Sequence, residues 1–378
     1  MPAIGIMLKP ASSACNLRCA YCFYAEEAGS RACPDRGIMT EDTAQTVIRK
    51  TFTYAGNAAD SRVSFAFQGG EPTLAGLPFF RNFVRMTQKE NHFHIPVEFS
   101  LQTNGTTLDD AFAAFLAKEH FLVGLSLDGI CTVHDRYRTD AAGHGTFAAV
   151  RRAADLLRRH RVPYNILCVV TDALCAHGEA VWNALQEHRY LQFIPCLPPM
   201  TETAVSYAPT PAHCAQFLDA IFRGYYRAFR RGAPVSVRTF DNWLNLLLRH
   251  PPESCAMCGI CMPSLIVEAD GDVYPCDFYA LDDCLLGNLC TADTAIDSLL
   301  SSQKLQEFLA PSHTVPDTCR ACRYYPPCRN GCRRERLLPD GRTQHCTSFR
   351  RFFDHHIGHL EELADIIEYQ MKQKGRTP

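Results

Sequence analysis

The sequence predicts an α/β fold in which six βα units wind into a partial (β/α)6 barrel, followed by a cysteine-rich C-terminal domain. Three observations carry that expectation. Between Ile4 and Leu197, short apolar or β-branched runs alternate with longer segments of helical period. Turn-forming and chemically reactive residues gather just after the strand candidates, where parallel sheets and barrels place their sites. After about Pro198 the composition changes, and a second field of cysteines follows.

In chain order, the strand candidates are GIMLKPAS, VSFAFQGG, VEFSLQTNG, FLVGLSLDG, YNILCVVT and YLQFIPCL. Between them, TEDTAQTVIRKTFTYA, LPFFRNFVRMTQKE, LDDAFAAFLAKEH, TFAAVRRAADLLRRH and HGEAVWNALQEH repeat apolar residues about every 3.6 positions. Thr40 followed by Glu41 is an N-cap signal for the first of these helices. Right-handed crossovers then wind the strands in parallel. CLPPMTETAVSYAPTP, rich in Pro, Thr and Ser, reads as a loop, and PAHCAQFLDAIFRGYYRAFRR as a long aromatic helix. LIVEADGDVYPC reads as a β-hairpin turning at Asp270 and Gly271. The expected domains are 1–235, the barrel; 236–348, the cysteine-rich domain; and 349–378, a terminal helix.

Composition excludes several classes. The 378 residues are 47% hydrophobic and 21% charged, with a formal net charge of −2, so nothing marks a nucleic-acid binder or a disordered tail. No apolar run reaches the roughly 20 residues that cross a bilayer. The opening MPAIGIMLKP lacks the basic, apolar and small-residue pattern of an export signal, so the expected compartment is a reducing cytoplasm. There, 20 cysteines point to metal or redox chemistry and not to disulfides.

The most informative stretch is CNLRCAYCFY, which sets Cys15, Cys19 and Cys22 within one short loop after the first strand. A closed zinc or iron–sulfur site takes four protein ligands, so three leave one coordination position open. Thiolates are soft ligands that suit an iron–sulfur cluster. Zinc with a fourth, distant ligand is the other reading, although no histidine lies nearby in sequence.

CxxxCxxC with an aromatic, Tyr21, before its last cysteine, and GGEP (Gly69 to Pro72) after the second strand, resemble the radical S-adenosylmethionine superfamily. The resemblance implies a radical SAM barrel in which the three cysteines hold a 4Fe-4S cluster. The fourth iron then binds the amino and carboxylate groups of S-adenosyl-L-methionine. It also implies that the backbone of Gly70 approaches the methionine amino group, that Ser126 and Arg138 contact the cofactor, and that Tyr21 and Leu197 flank the adenine. Read without it, GGEP is a strand-to-helix turn, Arg138 a solvated loop charge, and Tyr21 and Leu197 core residues.

The second cysteine field offers eight ligands, Cys255, Cys261, Cys276, Cys319, Cys322, Cys328, Cys332 and Cys346, enough for two four-thiolate sites. Zinc ribbons are the alternative. The spacing resembles the SPASM extension. By that resemblance Cys255, Cys261, Cys276 and Cys332 hold one auxiliary 4Fe-4S cluster, and Cys319, Cys322, Cys328 and Cys346 the other, for three clusters in all. Cys258, between two of these ligands, departs from the pattern.

KPASSACNLRCAYCFY, FAFQGGEPTLAG, SLQTNGT, FLVGLSLDG, YNILCVVT, VYPCDFY and GCRR together resemble the anaerobic sulfatase-maturating enzymes across nearly the whole chain. The resemblance implies oxidation of a sulfatase cysteine or serine to Cα-formylglycine, begun when a 5′-deoxyadenosyl radical abstracts a Cβ hydrogen. The implied partners are an unfolded sulfatase polypeptide carrying a Cys/Ser-x-Pro/Ala-x-Arg motif and a low-potential electron donor such as flavodoxin or ferredoxin; neither nucleic acid nor membrane is a partner. Asp277, directly after Cys276, resembles the family's proton acceptor. An ordinary Asp facing a thiol is mismatched by more than four pKa units, roughly 6 kcal/mol, so proton loss must be coupled to electron loss or the carboxyl raised by burial. Otherwise Asp277 closes a turn. Tyr24 either positions the peptide or packs against the cluster loop. The competing function is another SPASM enzyme that crosslinks or matures a ribosomal peptide. The open three-cysteine site and GGEP argue against a mere electron carrier.

Overall fold

The computed structural model describes residues 3–56, 61–200 and 205–373. Residues 201–204, inside the Pro- and Thr-rich loop, and the ends of the first and last expected domains lie outside them. All six expected strands form: β1 (Ala3–Leu8), β2 (Arg62–Phe67), β3 (Val97–Thr103), β4 (Leu122–Ser126), β5 (Tyr164–Val170) and β6 (Tyr190–Pro195). Four short strands follow: β7 (Ser236–Val237), β8 (Leu265–Val267), β9 (Asp272–Tyr274) and β10 (Gly287–Asn288).

The chain divides into two compact units that cut across the linear boundaries at 235 and 348. The first comprises 1–127, 134–165 and 263–308. Its strands run in the order β10-β9-β8-β1-β2-β3-β4. β1 to β4 are parallel, with Ile4 beside Val63 and Phe65 beside Phe99. The hairpin expected around Asp270 and Gly271 forms as β8 and β9. Unforeseen from sequence, β8 then pairs in parallel with β1, Leu8 beside Val267. β9 runs antiparallel to β8, and Asp277, three residues past its end, meets the side chains of Lys9 and Gln68, which follow β1 and β2.

Apolar alternation drives this sheet. Phe65 and Phe67 of β2 are fully buried against Phe80, Phe83 and Phe121, with edge-to-face ring contacts at 5.0 and 5.1 Å. Each such side chain contributes about 2–3 kcal/mol by burial. Thr40 caps helix Glu41–Ala55, its side chain accepting from the Thr43 backbone N–H, and Glu41 and Asp42 fill the first turn.

The second unit comprises 128–133, 166–262 and 309–378. β5, β6 and β7 are parallel within it, and helices Pro211–Arg230 and Cys346–Gln373 pack through Phe222, Phe240, Trp243 and Phe352. The terminal helix opens at Cys346, three residues before the expected boundary. Among the described residues no helix is long and apolar enough to cross a membrane.

Candidate active site

In the first unit the cysteine loop leaves β1 through Lys9, and Cys22 stands at the start of helix Phe23–Gly29. Cys15, Cys19 and Cys22 are all half-buried. The GGEP loop lies directly on this segment. Gly70 donates its backbone N–H to the Ser12 carbonyl at 2.9 Å, and Glu71 donates to the Ala14 carbonyl at 2.8 Å. A Cβ on Gly70 would stand 2.2 Å from the Ala14 oxygen, so only glycine permits the approach. GGEP is therefore a turn fitted to the cysteine loop as well as a strand stop.

Glu71, 1% exposed, organises what surrounds it. Its carboxylate accepts from the Thr73 N–H and hydroxyl, the Thr103 hydroxyl at 2.8 Å and the Asn104 N–H at 2.7 Å. Burial raises its pKa, and those donors oppose the rise. Asn104 in turn donates to Asn16, inside the cysteine loop, at 2.9 Å. One buried carboxylate thus ties the loops after β2 and β3 to the three cysteines.

Ser126, the last residue of β4, is 7% exposed. Arg138 is equally buried, not a solvated loop charge, and its guanidinium lies 5.4 Å from the Tyr21 ring centroid. Tyr21 also packs on Tyr137, at 5.9 Å between centroids. Leu197 is half-buried in the second unit, two residues beyond β6.

Asp277 opens a single 3-10 turn after Cys276. Both carboxylate oxygens are engaged. Oδ1 accepts from Lys9 Nζ at 2.6 Å and Oδ2 from Gln68 Nε2 at 2.7 Å, yet the side chain keeps 17% exposure. Lys9 is fully buried, and its ammonium sits 3.5 Å above the Tyr24 ring. Tyr24, 2% exposed, donates its hydroxyl to Glu268 Oε1 at 2.5 Å, and Arg31 Nη1 reaches the same oxygen at 2.7 Å. Tyr24 packs within this buried group of charges. Burial foremost, then the Glu268 charge, raises its pKa far above the ordinary phenol range. Glu27 completes the group, its pKa pushed up to about 8 chiefly by burial and next by the Asp277 charge.

The C-terminal cysteines of the second unit fall into two groups. Cys328 is pushed up to about 12, first by burial and then by the neighbouring Cys346, Cys319 and Cys322. Cys332 is pushed to about 12 by burial, then Glu335, then Cys255 and Cys261. Cys258 acts on Cys255 as well, so it belongs to the second neighbourhood. Cys276 lies in the first unit, after β9. The donor chemistry fits iron. Thiols packed this closely, like Cys15 beside Cys22, oppose one another's ionisation, and a bound cation reverses that penalty.

Lys9, Gln68, Glu27, Arg31, Glu71 and Glu268 were not singled out from sequence. Gln68 and Glu71 had a signal, since both sit in FAFQGGEP at a strand's carboxyl end. Lys9 had a weaker one, as the charge closing an otherwise apolar strand.

Comparison with known proteins gives concordant results. A model of the Radical SAM superfamily matches residues 10–179, and one of the SPASM iron-sulfur cluster-binding domain matches 255–323. The chain is 39% identical to a cysteine-type anaerobic sulfatase-maturating enzyme of Clostridium novyi, over 98% of this chain and all of that one. It is 30% identical to a serine-type enzyme of Klebsiella aerogenes, over 95% of this chain and 86% of that one. The solved structure of native anSMEcpe with bound AdoMet and Cp18Cys peptide superposes with a TM-score of 0.90 at 38% identity, covering 97% of this chain and 100% of that chain.

Proposed function

This chain belongs to the anaerobic sulfatase-maturating enzymes, and we propose that it oxidises the active-site cysteine of an unfolded sulfatase polypeptide to Cα-formylglycine. The observation that carries the reading is the likeness, along nearly the whole chain, to cysteine-type maturases and to a structure of one holding a peptide. Serine-type relatives are more distant, which favours cysteine as the target. The substrate segment carries the Cys/Ser-x-Pro/Ala-x-Arg motif.

S-adenosyl-L-methionine, bound with the 4Fe-4S cluster on Cys15, Cys19 and Cys22, supplies the radical that removes the Cβ hydrogen. The chain's own residues bind, orient and move the proton. Gly70, Ser126, Arg138, Tyr21 and Leu197 hold the cofactor, with Arg138 offering a fixed donor fork on a stacked base of Tyr21. The eight C-terminal cysteines hold the two auxiliary clusters. Asp277 accepts the proton that the substrate loses. Lys9 and Gln68 fix the carboxylate from two sides while 17% of its side chain stays exposed. Electrons come from a low-potential protein donor such as flavodoxin or ferredoxin.

The test is anaerobic incubation of cluster-loaded enzyme and S-adenosylmethionine with a short CxPxR peptide, read by mass spectrometry. Formation of the aldehyde residue is expected. A crosslinked peptide without aldehyde would replace this reading with that of another SPASM peptide-modifying enzyme.

A further inference from the structure

Helices Pro211–Arg230 and Cys346–Gln373 of the second unit carry a group of side chains that the reaction does not use. We propose that Asp219, His355 and His356 form a site for one divalent transition-metal ion of the zinc or cobalt class, which fastens the terminal helix to its neighbour. Asp219 Oδ1 lies 3.0 Å from His356 Nε2, and Asp219 Oδ2 lies 3.6 Å from His355 Nδ1. The three ligand atoms are all within 4.8 Å of one another. Ligands about 2.1 Å from a tetrahedral zinc stand about 3.4 Å apart, so closure needs a shift of little more than about 1 Å. His355, with 51% of its side chain exposed, can make that shift.

The other two ligands are already fixed. His356 is held between Phe222 and Phe352, at 4.8 and 5.0 Å between ring centroids, and Asp219 is 16% exposed. Consecutive residues of a helix diverge by about 100°, so two adjacent imidazoles seldom meet one carboxylate. Here Asp219, projecting from the facing helix, meets both. Burial lowers the His356 pKa, helped by His359 and His355 and opposed by Asp219. His359, one turn beyond His355, has its ring 5.8 Å from that of His356 and offers a third nitrogen as fourth ligand. Two imidazoles and one carboxylate suit zinc, cobalt or nickel, whereas magnesium and calcium take oxygen donors. Sulfur is absent from this donor set, which separates it from every cysteine site.

Zinc titration into cluster-loaded enzyme under anaerobic conditions tests this, with calorimetry for stoichiometry and zinc-edge X-ray absorption for ligands. One zinc per chain is expected, with a nitrogen and oxygen shell showing imidazole scattering, and with a rise of a few degrees in the melting temperature. Asp219→Asn and His355→Ala should each weaken binding at least about 10-fold and abolish that rise. Because His355 is exposed, its alanine variant should fold and carry its clusters normally. No zinc bound at micromolar concentration, sulfur in the zinc shell, or unchanged affinity in His355→Ala would each overturn the assignment. Formylglycine formation does not enter the readout, so failure here leaves the proposed function standing.

Discussion

Replacing Glu27 by Gln isolates the cost of a carboxyl buried beside Asp277. Glu27 is 2% exposed, and neither of its oxygens has a hydrogen-bond partner among the described residues; Arg31 Nη2 stands 4.0 Å off. Its pKa rises from 4.5 to about 8, through burial first and the Asp277 charge second, against the pull of Lys9 and Arg31. The folded pKa lies above the unfolded one. Its contribution to stability is therefore complete below about pH 4.5 and is lost as pH rises through 8. At about 1.36 kcal/mol per unit, holding Glu27 in the folded chain costs about 2 kcal/mol at pH 6 and about 4 kcal/mol at pH 8. Glu27→Gln keeps the shape and removes the titration. The variant should thus gain about 2 kcal/mol on the wild type between pH 6 and pH 8, or about 3 °C in melting temperature for a chain of this length. Anaerobic scanning calorimetry of both cluster-loaded proteins at pH 6, 7 and 8 measures it, and the clusters' own pH dependence cancels in the difference. A difference that stays flat with pH would refute the reasoning.

Reconstituted protein should bind about twelve irons as three clusters, and replacing Cys15, Cys19 and Cys22 by Ala should remove about a third of the iron and all cleavage of S-adenosylmethionine; zinc in place of iron would sink the assignment. Asp277→Asn should retain the iron and some substrate-dependent 5′-deoxyadenosine, while formylglycine falls about 10²-fold or more, both products being measured in one assay. Near-normal formylglycine would make Asp277 a turn residue. Arg138→Met should weaken S-adenosylmethionine binding at least about 10-fold in equilibrium dialysis while the melting temperature changes little, and unaltered binding would remove Arg138 from the cofactor site.

What could be read from sequence follows from locality. Each of the first six strands is a short apolar run closed by its own turn residues, so β1 to β6 and their reactive loops were legible. The Thr40 cap and the Asp270–Gly271 turn are likewise local. The pairing of β8 with β1 was not, because a three-residue apolar strand fits any sheet edge. Lys9 and Asp277 are 268 residues apart, and only that pairing makes them neighbours. Glu27 and Arg31 had the helical i, i+4 spacing of an ordinary surface pair, and nothing in it announces that Glu268 and Tyr24 would bury them. The site's cysteines announce themselves by spacing, whereas the groups that manage its charge do not.

That charge management bears on how an aspartate can act on a thiol. Lys9 and Arg31 face Asp277 and Glu268, two cations against two anions, with Glu27 holding a proton it would lack in water. If Asp277 takes a proton from the substrate, the Lys9 ammonium loses its partner while fully buried, a state that costs several kcal/mol in a protein interior. Part of what keeps Glu27 protonated is the Asp277 charge itself. Neutralising Asp277 therefore eases the ionisation of Glu27, and an ionised Glu27 restores a negative charge for Lys9. The Glu27 proton thus depends in part on the Asp277 charge, after burial. In Glu27→Gln this compensation is gone while the shape remains. Formylglycine formation by that variant should fall relative to hydrogen abstraction, measured as formylglycine per 5′-deoxyadenosine. An unchanged ratio would mean that Asp277 carries its proton without help from Glu27.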